Sequence, residues 1–158
     1  MPTEWSDPNP PIQITTHNGF SVVRDDLLGY GSKIRFVDRM IRDMPQKEIV
    51  FGSCPATGYA QISLPWVASR YGKTAHLFMA LRDVNNLHPY QQRGLELGAV
   101  YHWVKMGMLG VTKAHAKWYA KEDPGNRFLL PLGLEHPSVL ESIVQVCHEQ
   151  LPITPDHI

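Results

Sequence analysis

Cysteine is scarce in this chain of 158 residues: there are two, Cys54 and Cys147, far apart and without zinc-like spacing. Neither a disulfide framework nor a thiolate metal site is expected, and a reducing cytosol is the expected setting. An excess of charge of either sign is missing too, since fifteen Lys and Arg oppose fifteen Asp and Glu. That balance gives no general field for attracting a polyanion, and nucleic acid is not indicated as a partner. No apolar run reaches the length of a membrane span, and the opening MPTEWSDPNPP has neither a basic start nor an apolar core. The expected location is therefore cytoplasmic, with no membrane partner.

Hydrophobic residues, at 43%, suffice for one packed core and argue against wholesale disorder. Residues 1–11 read as a loose, proline-rich lead, residues 12–150 as a single α/β domain and residues 151–158 as a tail. Within the domain, IQITTHNGFSVVR (12–24) predicts two short strands around the turn His17-Asn18-Gly19. Ile34, Val37, Met40 and Ile41 recur on one helical face, and Pro45 marks the stop. EIVFG then predicts a buried strand, SCPATGY a loop of small residues, QISLPWVASRYG a helix with Pro65 near its first turn or at a kink, and TAHLFMAL a second strand. That order is a βαβ unit with parallel strands. It continues through helix HPYQQRGLELG, strand AVYHWVKM, helix GVTKAHAKWYAKE, strand FLLPLG and helix HPSVLESIVQVCHEQ. The expected fold is a three-layer α/β domain with a mostly parallel sheet.

Two stretches carry candidate chemistry. In VVRDDLLGYGSKIR (22–35) a glycine on each side of Tyr30 permits a tight turn and close approach to a planar ligand, and Lys33 stands where a helix should begin. An amine beside a helix N-terminus and in a buried setting has a lowered pKa and can form a Schiff base. Taken locally, a solvated first-turn lysine is the more common outcome. In GSCPATGYAQ (52–61) a small-residue loop entering a helix offers backbone N–H groups to a phosphate or carboxylate, with the hydroxyls of Ser53 and Thr57. The same spacing also suits a plain βα turn, and it lacks the Gly-Lys-Ser/Thr ending of a Walker loop. The eight histidines form no compact metal motif, and His76 and His102, on predicted strands, read as hydrogen-bonded core residues. Cys54 has no assignable partner base and reads as a small core residue. The helix face with Trp118 reads as packing.

Together these stretches resemble the fold-type II pyridoxal-phosphate enzymes, nearest the small-domain region of the aminocyclopropane-carboxylate deaminase and D-cysteine desulfhydrase family. That family carries Arg-Asp-Asp and then a glycine-rich motif with the cofactor lysine, and here Arg24-Asp25-Asp26 precedes Gly31-Ser32-Lys33-Ile34-Arg35. Phe51 to Gln61 stands where the family has a Gly-Gly-x-Gln-Ser-Asn-His-x-x-Gln loop. Weaker matches run through Leu97-Gly98-Ala99 and Leu130-Pro131-Leu132-Gly133, so the likeness covers about residues 12–150.

The resemblance implies pyridoxal 5'-phosphate as cofactor and a lyase, deaminase or decarboxylase acting on a small amino-acid-like or amine-bearing substrate through a Lys33 aldimine. It places Lys33 and Tyr59 in catalysis, and Lys33, Arg35, Ser53, Thr57 and Gly58 against the cofactor, with Arg24 or Arg35 steering a phosphate or carboxylate. The family serine falls on Ala56, its asparagine on Thr57 and its histidine on Gly58. The family's later, larger domain, which holds the phosphate loop and the pyridine-nitrogen partner, has no counterpart in these residues. The expectation is that the Gly52 to Gly58 loop takes over the phosphate or that a homo-oligomer or a larger partner subunit completes the pocket. The alternative expectation is a non-catalytic binding or assembly module derived from such an enzyme.

Overall fold

The computed structural model describes residues 5–151; residues 1–4 of the lead, the tail from 152 onward and His157 within it lie outside the described residues. A hairpin comes first, β1 (Ile14–His17) and β2 (Phe20–Val23), antiparallel across Asn18-Gly19. Both turn residues have positive φ, 49° and 82°, the geometry whose twist suits a two-residue hairpin. Strands β3 (Glu48–Phe51), β4 (Thr74–Ala80), β5 (Val100–Val104) and β6 (Arg127–Leu129) form a separate sheet, ordered β5-β4-β3-β6 and parallel throughout. Five α-helices accompany them: α1 (Lys33–Asp43) precedes the sheet, α2 (Ala60–Arg70), α3 (Pro89–Glu96) and α4 (Leu109–Glu122) connect its strands, and α5 (Pro137–Gln150) follows.

Strand alternation sorts the core into two layers of apolar contact. Ile49, Phe51, Ala75, Leu77 and Met79 pack with α1, α2 and part of α5 on one side. Val50, Phe78 and Val104 point the other way, onto Ala116 and Ala120 of α4. The chain is thus an α/β domain in which helices sandwich a parallel sheet.

Three local expectations need correction. Of the two places expected for Pro65, the first turn is excluded: it lies buried in the interior of α2. It cannot donate to the Gln61 carbonyl one turn earlier. That carbonyl lies 2.7 Å from where a Cβ on Gly94 would sit, so α3 fits against α2 because Gly94 has none. Trp118 is 60% exposed, while Thr112, Ala116 and Ala120, four residues apart, form the buried stripe of α4. The lead is irregular but tied down: Trp5 is buried and its indole N–H donates to Asp38 at 3.0 Å.

Candidate functional site

The turn before α1 is held by charge. Arg24 forks onto Asp26 through two 2.8 Å hydrogen bonds. Asp25 accepts from Arg35 at 3.3 Å, and Arg35 also pairs with Asp7 and donates to the Pro10 carbonyl. The Arg35 side chain is 1% exposed. Arg35 lines neither of the clefts that Lys33 borders: its two terminal guanidinium nitrogens hold a buried clamp that fixes the lead and the turn, and its Nε is buried without a partner among the described residues. Nearby, buried Asp38 accepts from Trp5, Arg70 and Tyr71, which ties the lead to α1 and α2.

On the opposite side of the turn the chain is open. Lys33, the first residue of α1, is exposed and has no ion-pair partner among the described residues. It borders two clefts. One, of about 610 Å³, runs between Asp25, Asp26, Gly31, Tyr59 and Tyr90. The other, of about 230 Å³, runs between Ser53, Cys54, Gly58 and Tyr59 and the turn at Leu132 to Leu134. The fold thus gathers Lys33, Ser53, Gly58 and Tyr59. Thr57 is exposed at the loop tip and lines neither cleft.

The planar group for which Gly31 makes room is the chain's own. Gly31 has φ +78°, and a Cβ there would lie 2.6 Å from the Tyr59 ring. The Tyr59 hydroxyl donates to the Gly29 carbonyl at 3.2 Å, and its ring meets Tyr90 edge-on at 5.1 Å. Tyr59 is therefore a fixed wall between the clefts. Tyr30 does not cover Lys33; it stacks on Trp66 with centroids 3.8 Å apart and planes within 6°.

Gln61 holds the βα loop in shape. Fully buried, it donates to the carbonyls of Ala56 and Gly58 at 2.7 and 2.8 Å, and accepts from the Tyr101 hydroxyl at 3.1 Å. Sequence reasoning treated Gln61 as the end of a motif and missed Tyr101, whose partner lies forty residues away. Burial pushes the Cys54 thiol up to about 11, against the opposing pull of the Gln61 N–H and Lys33. It stays protonated near neutral pH, which leaves little of the thiolate that a nucleophile needs.

A second polar group sits at the N-terminal half of the sheet, on the α4 side. Glu48 accepts from Asn126, Arg127 and the Tyr119 hydroxyl at 3.0, 2.9 and 2.9 Å. His76 Nδ1 lies 3.2 Å from that hydroxyl and 2.9 Å from His102 Nε2. Burial pulls both imidazoles below their ordinary 6.5; for His102 the neighbouring His76 adds to it. Burial alone would raise Glu48, but its hydrogen bonds from Tyr119 and Arg127 and the charges of His76 and Arg127 leave it lowered. These are hydrogen-bonded histidines of the strands. Among the described residues no group of three or more His, Cys, Asp or Glu is arranged to hold a metal ion. No helix among them is long and apolar enough to cross a membrane.

No protein-family model matches the chain, and no curated protein matches it.

The clefts can be tested for fit to pyridoxal phosphate. Its carbonyl end requires an accessible amine, and Lys33 offers one. Its phosphate end requires cations or a cradle of N–H groups. Lys33 is the single Lys or Arg lining either cleft, and Asp25 and Asp26 stand beside it in the larger one. An amine holding a carbonyl carbon cannot also hold the phosphate. The residues fit the carbonyl end; for the phosphate end these clefts hold no cation besides Lys33, and what the smaller one offers is the backbone of the Ser53 to Gly58 loop at the uncapped N-terminus of α2.

Proposed function

We propose that this chain is one half of a pyridoxal-phosphate-dependent lyase, deaminase or decarboxylase site for an amino acid or amine-bearing substrate, with the fold of a fold-type II small domain. In this reading Lys33 receives the carbonyl end, and a second copy or a larger partner subunit supplies the phosphate end. The observation that carries it is the position of the exposed Lys33 amine where two clefts meet, beside Ser53, Gly58 and Tyr59. Pyridoxal phosphate, when bound, supplies an electron sink for negative charge beside the substrate nitrogen.

The chain's own residues have separate tasks. Gly31 and the Tyr59 ring hold the first turn of α1 in one place and so aim the amine. The Ser53 hydroxyl lines the smaller cleft together with Lys33 and can donate to an oxygen held there. Gly58 packs on Pro55, where a Cβ would come within 2.9 Å of the ring, so the loop stays low and the smaller cleft open. Gln61 keeps that loop rigid.

A second reading, a non-catalytic assembly module, is favoured by the β1–β2 hairpin. Phe20 is 74% exposed, and Val22 and Val23 are exposed as well. An isolated two-stranded ribbon is marginal in water and gains from a covering surface.

Borohydride reduction of the protein with added pyridoxal phosphate, followed by peptide mapping, tests the first reading. The expected result is a label concentrated on Lys33 and lost in Lys33→Ala. Label spread evenly over the exposed lysines, in the presence and absence of a co-purifying partner, would leave the assembly reading in front.

A further inference from the structure

A third cleft, of about 280 Å³, opens at the C-terminal edge of β3, β4 and β5, and Lys33 does not line it. Its floor is Met79 and Ala80 at the end of β4. Gly107 presses so closely on this floor that a Cβ there would sit 2.2 Å from the Ala80 Cβ. Leu109 and Thr112, in the first turn of α4, form a wall.

Three donors border this space. Gln91 is 1% exposed, and its Oε1 accepts from the His88 N–H at 3.0 Å as part of the cap of α3. That bond fixes which end of the amide is oxygen, because a flipped amide would set donor against donor. The Nε2 is then buried with no hydrogen-bond partner among the described residues. A buried donor left unpaired is costly, and such a group in a folded protein calls for an acceptor. Arg82 lines the same cleft, is exposed and has no ion-pair partner among the described residues. The N-terminus of the 14-residue α4 has no side-chain cap, so its first N–H groups and the positive end of its dipole also face this region.

We propose that this cleft binds a small carboxylate with a short apolar tail. One carboxylate oxygen meets Gln91 Nε2, the other meets Arg82, and the tail lies on Met79, Ala80 and Leu109. A phosphate shares the charge but not the fit, since its additional oxygens would face this carbon lining. The volume is just below the usual range of sites for drug-sized molecules and has ample room for a ligand of butyrate's size. The Ser53 to Pro55 loop borders both this cleft and the smaller Lys33 cleft, but no donor used here belongs to the Lys33 reading. Failure of one does not touch the other.

The test is a titration of the ¹⁵N-labelled full chain with sodium butyrate and, in parallel, sodium phosphate at matched ionic strength. The Gln91 side-chain amide pair is observed, assigned by its disappearance in Gln91→Glu. That variant keeps the acceptor for His88 and replaces the donor with a negative charge. Butyrate is expected to shift the pair saturably. Arg82→Ala should weaken binding roughly tenfold, the loss of one charge-assisted bond, and Gln91→Glu should abolish it with the backbone spectrum preserved. If Gln91→Glu does not fold, the exposed Arg82→Ala still decides. A response to phosphate alone, no response to either anion, or unchanged butyrate affinity in Arg82→Ala would overturn the proposal.

Discussion

Lys33 and Arg35 are two cations two positions apart on the same helix, and they have opposite fates. Arg35 turns inward to Asp7, Asp25 and the Pro10 carbonyl and is sealed from water. Lys33 turns outward onto two clefts and pairs with nothing among the described residues. The flanking parts of a sequence motif therefore have a structural explanation: Arg24-Asp25-Asp26 and Arg35 build the clamp that shapes the turn. What the clamp leaves unexplained is the amine it presents. Motif residues consumed by folding say little about chemistry, and the residue left over is the one to test.

The contrast breaks first at the clamp. Arg35→Ala strands two buried or part-buried carboxylates, and a loss of about 3–5 kcal/mol is expected in urea unfolding. A loss below about 1 kcal/mol would mean that water replaces the guanidinium and that the clamp is dispensable. Gly31→Ala tests the joint between the two sides, since it forces a Cβ into a left-handed backbone and onto the Tyr59 ring. It should cost about 1–3 kcal/mol and reduce borohydride labelling of Lys33 together with stability. An unchanged stability would show that the turn tolerates another path.

The histidine pair gives a smaller, pH-dependent effect. Both folded imidazoles titrate below 6.5, so as pH falls the unfolded chain takes up protons before the folded one does. Stability should be fully present above about pH 6.5, decline as pH falls through the depressed folded values, and level off once both states are protonated. Glu48, also lowered, adds a loss of the same sign in its own, more acidic range. The unfolding midpoint in His102→Gln should be flatter across the histidine range; an identical slope would detach the pair from the effect. Lys33→Ala should change stability least, within about 0.5 kcal/mol, as for an exposed side chain outside any network. A larger loss would give Lys33 a structural duty and weaken its reading as a presented amine.

Much of the fold was legible because its strands are short apolar runs between breakers. EIVFG, TAHLFMAL and AVYHWVKM contain β3, β4 and β5, and the alternation with helical periods implied the parallel sheet. What stayed hidden depends on distant partners. Arg35 has the local look of an exposed helix residue, and its burial depends on partners ten to twenty-eight residues earlier: Asp25, the Pro10 carbonyl and Asp7. Gln91 follows an exposed tyrosine in a polar helix, yet the fold closes over it and leaves its amide unpaired. Trp118 had the composition of a packing residue, but the small Ala116 and Ala120 let α4 lie close to the sheet and turned the indole outward. In the Lys33 site, Ser53, Gly58 and Tyr59 could be grouped from their shared loop, whereas Thr57, three residues from Cys54, was carried to the tip and away from both clefts.

The β1–β2 ribbon follows a different clock from the sheet. Its strands pair across only four residue positions, and the Arg24 N–H to Gln13 carbonyl bond closes its base. Amide protons on the ribbon should exchange with solvent through a small local opening, while those of β3 and β4, enclosed between helices, await opening of the whole domain. A partner seated on the ribbon would slow the first class of protons and leave the second unchanged, so exchange rates alone would locate the surface it covers.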